Sequence, residues 1–191
     1  MSSSVLSARA LLVVAGACAL VQCTSTLDPS IFVGGEAGAG GAPELRATCS
    51  RFVNGASEYT ICPEPLDRFS AADDCAARDL SLVAVESVEE NDFIADTARE
   101  LVSGNLWLGG TRDDDYVWTW PDGSVFWNGG RDGTAPDGVF VQWQSGEPND
   151  SSTVTTDPER CLALTPDGND WNDRSCSLSL PYVCEGPGST L

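Results

Sequence analysis

Three short clusters of oxygen-bearing side chains between Trp143 and Cys176 carry the chemistry available to this chain. They are Glu147-Pro148-Asn149, then Glu159, then Trp171-Asn172-Asp173. Carboxylates and amide carbonyls are hard oxygen donors, the set that Ca2+ prefers. Glu147, Asn149, Glu159, Asn172 and Asp173 would together fill most of a shell of about six to eight oxygens. The remaining positions would fall to water or to the hydroxyls of a ligand. Two cysteines, Cys161 and Cys176, stand beside the second and third clusters. The bland reading of the same stretch is an acidic surface loop closed by a disulfide.

The order of these motifs resembles the long loop and flanking strands of the C-type lectin-like domain. An E-P-N tripeptide comes first, then a Glu two residues before a cysteine, then W-N-D with a cysteine three residues beyond. The resemblance implies a Ca2+ ion held by Glu147, Asn149, Glu159, Asn172 and Asp173. It implies a sugar bound to that ion through two vicinal hydroxyls, which the same five side chains would also hydrogen-bond. The E-P-N form implies a mannose-, glucose- or fucose-type preference, and Pro148 would be a cis proline. The implied architecture is an α+β C-type lectin-like fold with two helices, small antiparallel sheets, a long calcium-binding loop and three disulfides. The implied function is calcium-dependent binding of glycans or glycoproteins. The alternative is a protein-interaction module on the same fold, with calcium structural or lost.

Composition narrows the field further. The chain has 191 residues with 10 Lys+Arg against 29 Asp+Glu, a formal net charge of −19. Nucleic acid is excluded as a partner, because its phosphates need cationic side chains. A surplus of carboxylates suits a protein that lives with divalent cations, and it also serves solubility. There is no histidine, which removes Ser-His-Asp and Cys-His nucleophilic machinery and histidine-ligated zinc. The many acids form no recognisable general acid–base pair of the glycosidase kind, so no enzymatic activity is expected. Of the six tryptophans, most are assigned to packing, with Trp127 or Trp143 as the candidate for stacking on a sugar.

Arg9 precedes an apolar run that ends near Cys18 and Cys23. A positive residue before a short apolar segment reads as an export signal, too short to span a bilayer permanently. Residues 1–23 are expected to form this signal, with Cys18 or Cys23 as the lipid-bearing cysteine of a bacterial lipoprotein. A plain secretory signal is the competing view. Residues 24–46, Gly/Ala-rich over 34–43, form a flexible tether. Residues 47–186 are the globular domain and 187–191 a tail. The protein is expected to be exported, either as an outer-membrane or cell-surface lipoprotein or in secreted form. It would touch membrane only through such an anchor.

Six cysteines follow the signal, at 49, 62, 75, 161, 176 and 184. An even number in an exported chain implies disulfides, but six cysteines allow about fifteen connectivities. The resemblance implies Cys49–Cys62, Cys75–Cys184 and Cys161–Cys176. Tyr59–Cys62 reads as a strand. Ser70 with Asp73 reads as a capping box opening a helix that carries Cys75, and Ser87 with Glu90 as a second opening a helix to about Val102. Phe93, Ile94, Thr97, Ala98 and Leu101 share one face of that helix, and Gly104 is its stop. Residues 80–85, 106–110, 116–120, 125–127 and the closing Leu178–Glu185 read as strands or extended links, with Asp122-Gly123 as a turn. By resemblance the closing strand pairs with the first.

Residues 128–142 are Gly- and Asp-rich, longer than the family usually needs, and receive no role. The acids 113–115 with Asp150 partly match an auxiliary calcium site, but Arg160 stands where an acid would help, and a solvated turn is expected there. Residues 167–170 read as a turn feeding Trp171. Asn149-Asp150-Ser151 is a formal N-glycosylation acceptor.

Overall fold

A computed structural model describes residues 48–152 and 157–188. The signal at 1–23 with Cys18 and Cys23, the tether, and most of the tail lie outside the described residues. Among those described, no helix is long and apolar enough to cross a membrane.

The chain folds as α+β. In order it forms β1 (Ser50–Asn54), β2 (Ser57–Leu66), α1 (Arg68–Ala76), β3 (Ser81–Leu82), α2 (Val88–Leu101) and β4 (Leu106–Arg112). Then come β5 (Val117–Thr119), β6 (Val125–Asn128), β7 (Glu159–Thr165), β8 (Asp170–Ser175) and β9 (Leu180–Pro187). The sheet runs β1-β2-β9-β4-β5-β6, with β3 also on β9, β7 on β4 and β8 on β7. The closing strand pairs antiparallel with β2, Ile61 opposite Val183. β4 is central: it lies parallel to β9 at Trp107 and Tyr182 and antiparallel to β7. Gly109 permits that crowding, since a Cβ there would meet Pro121 Cγ at 2.6 Å and the Leu82 carbonyl at 2.7 Å.

All three disulfides form as expected, with Cα–Cα distances of 4.2 Å for Cys49–Cys62, 5.5 Å for Cys75–Cys184 and 5.2 Å for Cys161–Cys176. Cys75–Cys184 joins residues 109 apart, a closure worth ~4–5 kcal/mol in the chain-entropy model.

Two local expectations are corrected. The α1 N-cap is Asp67, not Ser70. Its Oδ1 accepts from the Phe69 and Ser70 amides at 3.0 and 3.1 Å, and Ser70 Oγ donates to its Oδ2 at 2.6 Å. A carboxylate accepts several bonds at once where a hydroxyl oxygen accepts fewer, so the cap moves upstream and the serine becomes its donor. In α2, Ser87 does cap, accepting from the Glu90 amide at 3.2 Å, but Glu90 reaches back to the Glu86 amide at 2.8 Å. The buried face of α2 is Asn91, Ile94, Ala95 and Ala98, and Leu101 is 37% exposed. Residues 80–85 are as expected a strand, Ser81–Leu82, followed by a link whose Val83 and Val85 continue into the core.

The main core packs Ile94, Leu106, Leu108, Trp118, Phe126, Leu162, Leu164 and Trp171. A second cluster packs Trp107 and Tyr182 around the disulfides of β2, α1 and β9. Alternate residues of β7, Leu162 and Leu164, and the Trp171 of β8 are buried in the main core, which sets the register of the strands that carry the oxygen donors.

Candidate metal centre

β7 and β8 pair antiparallel, placing Leu162 opposite Asp173 and Ala163 opposite Asn172, with Glu159 at the start of β7. The segment before the E-P-N turn is stitched to β8 through backbone. Gln144 N–H donates to the Trp171 carbonyl at 2.8 Å, and Trp171 N–H donates to the Gln142 carbonyl at 2.7 Å. Glu147 N–H closes a turn on the Gln144 carbonyl at 2.9 Å. The Glu147–Pro148 bond is cis, as expected.

Asp173 is fully buried and reaches across from β8 to that turn. Its Oδ1 accepts from the Asn149 amide at 3.1 Å and its Oδ2 from the Asp150 amide at 2.7 Å. Asn172 donates its side-chain N–H to Gln144 Oε1 at 3.4 Å, leaving its carbonyl oxygen for another partner. Glu147 Oε2 and Asn149 Oδ1 are buried and have no hydrogen-bond partner among the described residues. A buried acceptor without a partner costs roughly 1–3 kcal/mol, so two of them flanking one proline mark a place meant for a partner.

Electrostatics point the same way. The Glu147 carboxyl is pushed up to about 7, first by burial, then by its hydrogen bond with Asp173 and by the charges of Asp173 and Glu159. Glu159 is raised by burial and by Asp173. Arg174 offsets both only in part. Carboxylates held together in a half-buried patch either take up protons or take up a cation. The donor set is all oxygen and anionic, the chemistry of a Ca2+ site. Glu147, Glu159 and Asp173 thus lie within reach of one another's charge, Asn149 is bonded to Asp173 through its backbone amide, and Asn172 precedes Asp173 on β8, a donor set of the chemistry that Ca2+ takes.

The acids once considered for an auxiliary site are differently employed. Asp150 spends Oδ2 on Arg112 Nη2 at 2.6 Å and Oδ1 on the Glu159 amide at 2.8 Å. Asp114 pairs with Arg160, and Asp113 Oδ1 accepts from the Asp115 and Val117 amides at 2.9 and 2.8 Å as a turn. Guanidinium groups stand where a second cation would. Elsewhere Cys49, Cys62 and Asp74 bring donor atoms within 4.8 Å, but both sulfurs are in the disulfide.

Several contributors escape the sequence reading. Arg112, directly before the acidic run, received no reading. Gln144 and Asn91 carry no motif. Asn91 Oδ1 accepts from the Trp171 indole at 2.8 Å, while its own amide donates to the Asn169 carbonyl at 2.8 Å, so α2 holds the residue just before the W-N-D donors. Trp127 and Trp143, the candidates for stacking on a sugar, are both half-buried. Both belong to an aromatic cluster, Trp143 lying 5.0 Å from Trp118 and 6.2 Å from Trp127 between ring centroids. The open ring near the site is Tyr116, 43% exposed, with Arg112 4.2 Å over its face.

Comparison with known proteins bears on the fold and the family. Among curated proteins, the chain is 32% identical over 123 residues to lectin subunit alpha of Sarcophaga peregrina, covering 59% of this chain and 38% of that protein. It is 31% identical over 118 residues to human C-type lectin domain family 10 member A, covering 61% of this chain and 33% of that one. The chain thus spans about a third of the length of these relatives. Among solved structures, the cow CD23 carbohydrate-recognition domain, crystallised in the presence of a GlcNAc2Man3 oligosaccharide, superposes with a TM-score of 0.59 at 22% identity over 73% of this chain and 95% of that one. A calcium-independent type II antifreeze protein superposes with a TM-score of 0.56 at 21% identity, over 75% of this chain and 96% of that one. The fold is thus shared with a carbohydrate-recognition domain and with a protein described as calcium-independent. The family model described as the lectin C-type domain matches residues 66–186, and on that match, with the fold and disulfides already in place, this chain belongs to the C-type lectin domain family.

Proposed function

We propose that this domain binds carbohydrate through a Ca2+ ion held by Glu147, Asn149, Glu159, Asn172 and Asp173, with a mannose-, glucose- or fucose-type preference. The observation that carries the reading is the pair of buried, partnerless acceptors on either side of Pro148, Glu147 Oε2 and Asn149 Oδ1. Bound there, the ion would neutralise the carboxylates and offer open coordination positions to sugar hydroxyls. The chain does the rest. Asp173 ties β8 to the E-P-N turn and keeps the two halves of the site in register. Gln144 orients the Asn172 amide. Pro148 is buried and separates the two acceptors by a single residue. The carboxylates would then accept, and the Asn149 and Asn172 amides donate, hydrogen bonds to the sugar.

The protein acts in this reading as a binding module, not an enzyme, at the cell surface or outside the cell. Single-site affinity for a sugar is weak, so several copies on one surface would be needed for useful avidity. Glycan-array binding in Ca2+ and in EDTA tests the reading. Signal on mannose-, glucose- or fucose-type glycans that disappears in EDTA and in Asn149→Asp is the expected result. A rise in melting temperature with Ca2+ but no glycan signal would favour the protein-interaction alternative. No response to Ca2+ of either kind would remove the metal from the account.

A further inference from the structure

The segment 128–142 builds a cavity beside the metal centre. Asn128 and Thr134 exchange backbone hydrogen bonds at 2.9 Å in both directions, and Gly133 N–H closes on the Gly130 carbonyl at 2.9 Å. The loop so pinched off is tight: a Cβ on Gly133 would meet the Asn128 carbonyl at 2.4 Å and Trp127 Nε1 at 2.6 Å. At its tip stands Arg131. The Arg131 Nε donates to the Gly146 carbonyl at 2.9 Å, directly before Glu147, which lays the guanidinium along the E-P-N turn and leaves both terminal nitrogens available. No carboxylate among the described residues pairs with it.

The cavity has a volume of about 160 Å3, and Arg131 lines it together with Arg112, Tyr116, Trp118, Asn149 and Asp173. It therefore shares two residues with the proposed metal site. Its walls are rich in donors. Trp118 is fully buried, and its indole N–H has no hydrogen-bond partner among the described residues. Two acids also line the cavity, Asp150 and Asp173, and each is already engaged. Asp150 is neutralised by Arg112 at 2.6 Å, and Asp173 accepts two backbone amides. Arg112 and Arg131 thus stand against Asp150 and Asp173 in the cavity; with Asp173 given to the proposed Ca2+ ion, the charge left over is that of Arg131, in a chain whose formal net charge is −19.

We propose that this cavity is a subsite for an anionic substituent, a sulfate or a carboxylate, carried by the glycan bound at the metal, with Arg131 as its specificity-determining residue. The inference rests on the calcium–sugar reading above and adds the chemical class of the preferred glycan. A guanidinium presents a planar fork that matches the oxygens of sulfate and carboxylate. The Trp118 indole supplies a further donor from the wall, and Tyr116 an open ring beside it. An acceptor-bearing group would satisfy these donors, whereas a neutral hydroxyl would leave the charge of Arg131 to solvent.

The test is binding of the full chain in Ca2+ to matched glycan pairs that differ only in the acid: neutral against sulfated mannosides, and neutral against uronate-bearing ones. The two arms separate sulfate from carboxylate. The acidic member of at least one pair should bind roughly tenfold more tightly, the value of one charge-assisted hydrogen bond. That ratio should shrink at high ionic strength and fall to about one in Arg131→Gln. Because the readout is a ratio within each protein, any general effect of the substitution on the loop cancels. A ratio near one in the parent, or an acid preference retained by Arg131→Gln, overturns the subsite while leaving the calcium–sugar reading standing. If neither neutral nor acidic glycan binds, that reading has failed. The cavity is then judged by inorganic sulfate alone: a rise in melting temperature that Arg131→Gln abolishes upholds an anion site, and no rise overturns it.

Discussion

Glu147→Gln is the substitution whose consequences follow most directly from the geometry, because its two effects have opposite signs. Without metal, the Glu147 carboxyl is raised from 4.5 to about 7 by burial and by the Asp173 and Glu159 charges. A folded-state value above the unfolded one means that the ionised group opposes folding. Its cost is absent below about 4.5, grows through the interval, and is fully present above about 7. Glutamine keeps the shape and can still hydrogen-bond Asp173, but carries no charge. The metal-free variant should therefore be more stable than the parent at pH 8. Solvent screens this partly open patch, so the gain is about 1 kcal/mol, or roughly 3 °C in melting temperature for a domain of this size. Towards pH 4.5 the gain should vanish. With Ca2+ the order reverses. Loss of an anionic oxygen donor should weaken calcium affinity by at least about ten- to a hundredfold, the scale of supporting-residue losses at metal sites. The assay is thermal unfolding of parent and variant in EDTA across pH 4.5–8, repeated as a calcium titration at pH 8. A variant less stable than the parent in EDTA at pH 8, or a calcium midpoint unchanged by the substitution, would refute the reasoning.

The other expectations are simpler. Saturating Ca2+ at about a hundredfold over its dissociation constant should stabilise the parent by about 2.7 kcal/mol, measured as a calcium-dependent shift in urea midpoint that EDTA reverses. Arg112→Met should leave Asp150 without its cation, costing about 3 kcal/mol, and Asp150→Asn in the same background should recover part of that loss in a chemical-denaturation cycle. Asn91→Ala should strand the Trp171 indole N–H in the core at about 1–3 kcal/mol and weaken calcium binding as well, because Trp171 precedes two of the ligands. Calorimetric calcium titration separates that from a purely global destabilisation. Replacing Cys161 and Cys176 together by Ala should remove about 3 kcal/mol, read as a lower melting temperature with the other two bridges intact.

Much of the site was legible because metal ligation demands particular atoms. Only Asp, Glu, Asn and Gln offer side-chain carboxylate or amide oxygens, so Glu147, Asn149, Glu159, Asn172 and Asp173 announce themselves wherever they cluster around Pro148 and Cys161 or Cys176. Strands with a buried apolar face, such as Tyr59–Cys62 and Leu106–Leu108, were visible for a similar reason: the hydrophobic pattern specifies which way a strand must face. Capping was less legible. Ser70 and Asp67 are both good caps, and which of them opens the helix depends on where the chain leaves β2. The exposed end of α2 at Leu101 was misread because a one-dimensional pattern records apolar spacing and not how far the neighbouring core extends.

What the sequence determined by itself was the donor chemistry, the even set of six cysteines from Cys49 to Cys184, and the exclusion of histidine-based catalysis. These are properties of residue type and number. The tertiary structure alone decided which charges meet. Asp150 was a possible calcium ligand until Arg112, 38 residues away, took one of its oxygens. Trp143 was a candidate sugar platform, and the fold packs it against Trp118. Arg131 stood in a segment without a role until the pinched loop laid it beside Gly146. Coulomb energies and desolvation depend on distance and burial, and neither is written in the order of the residues.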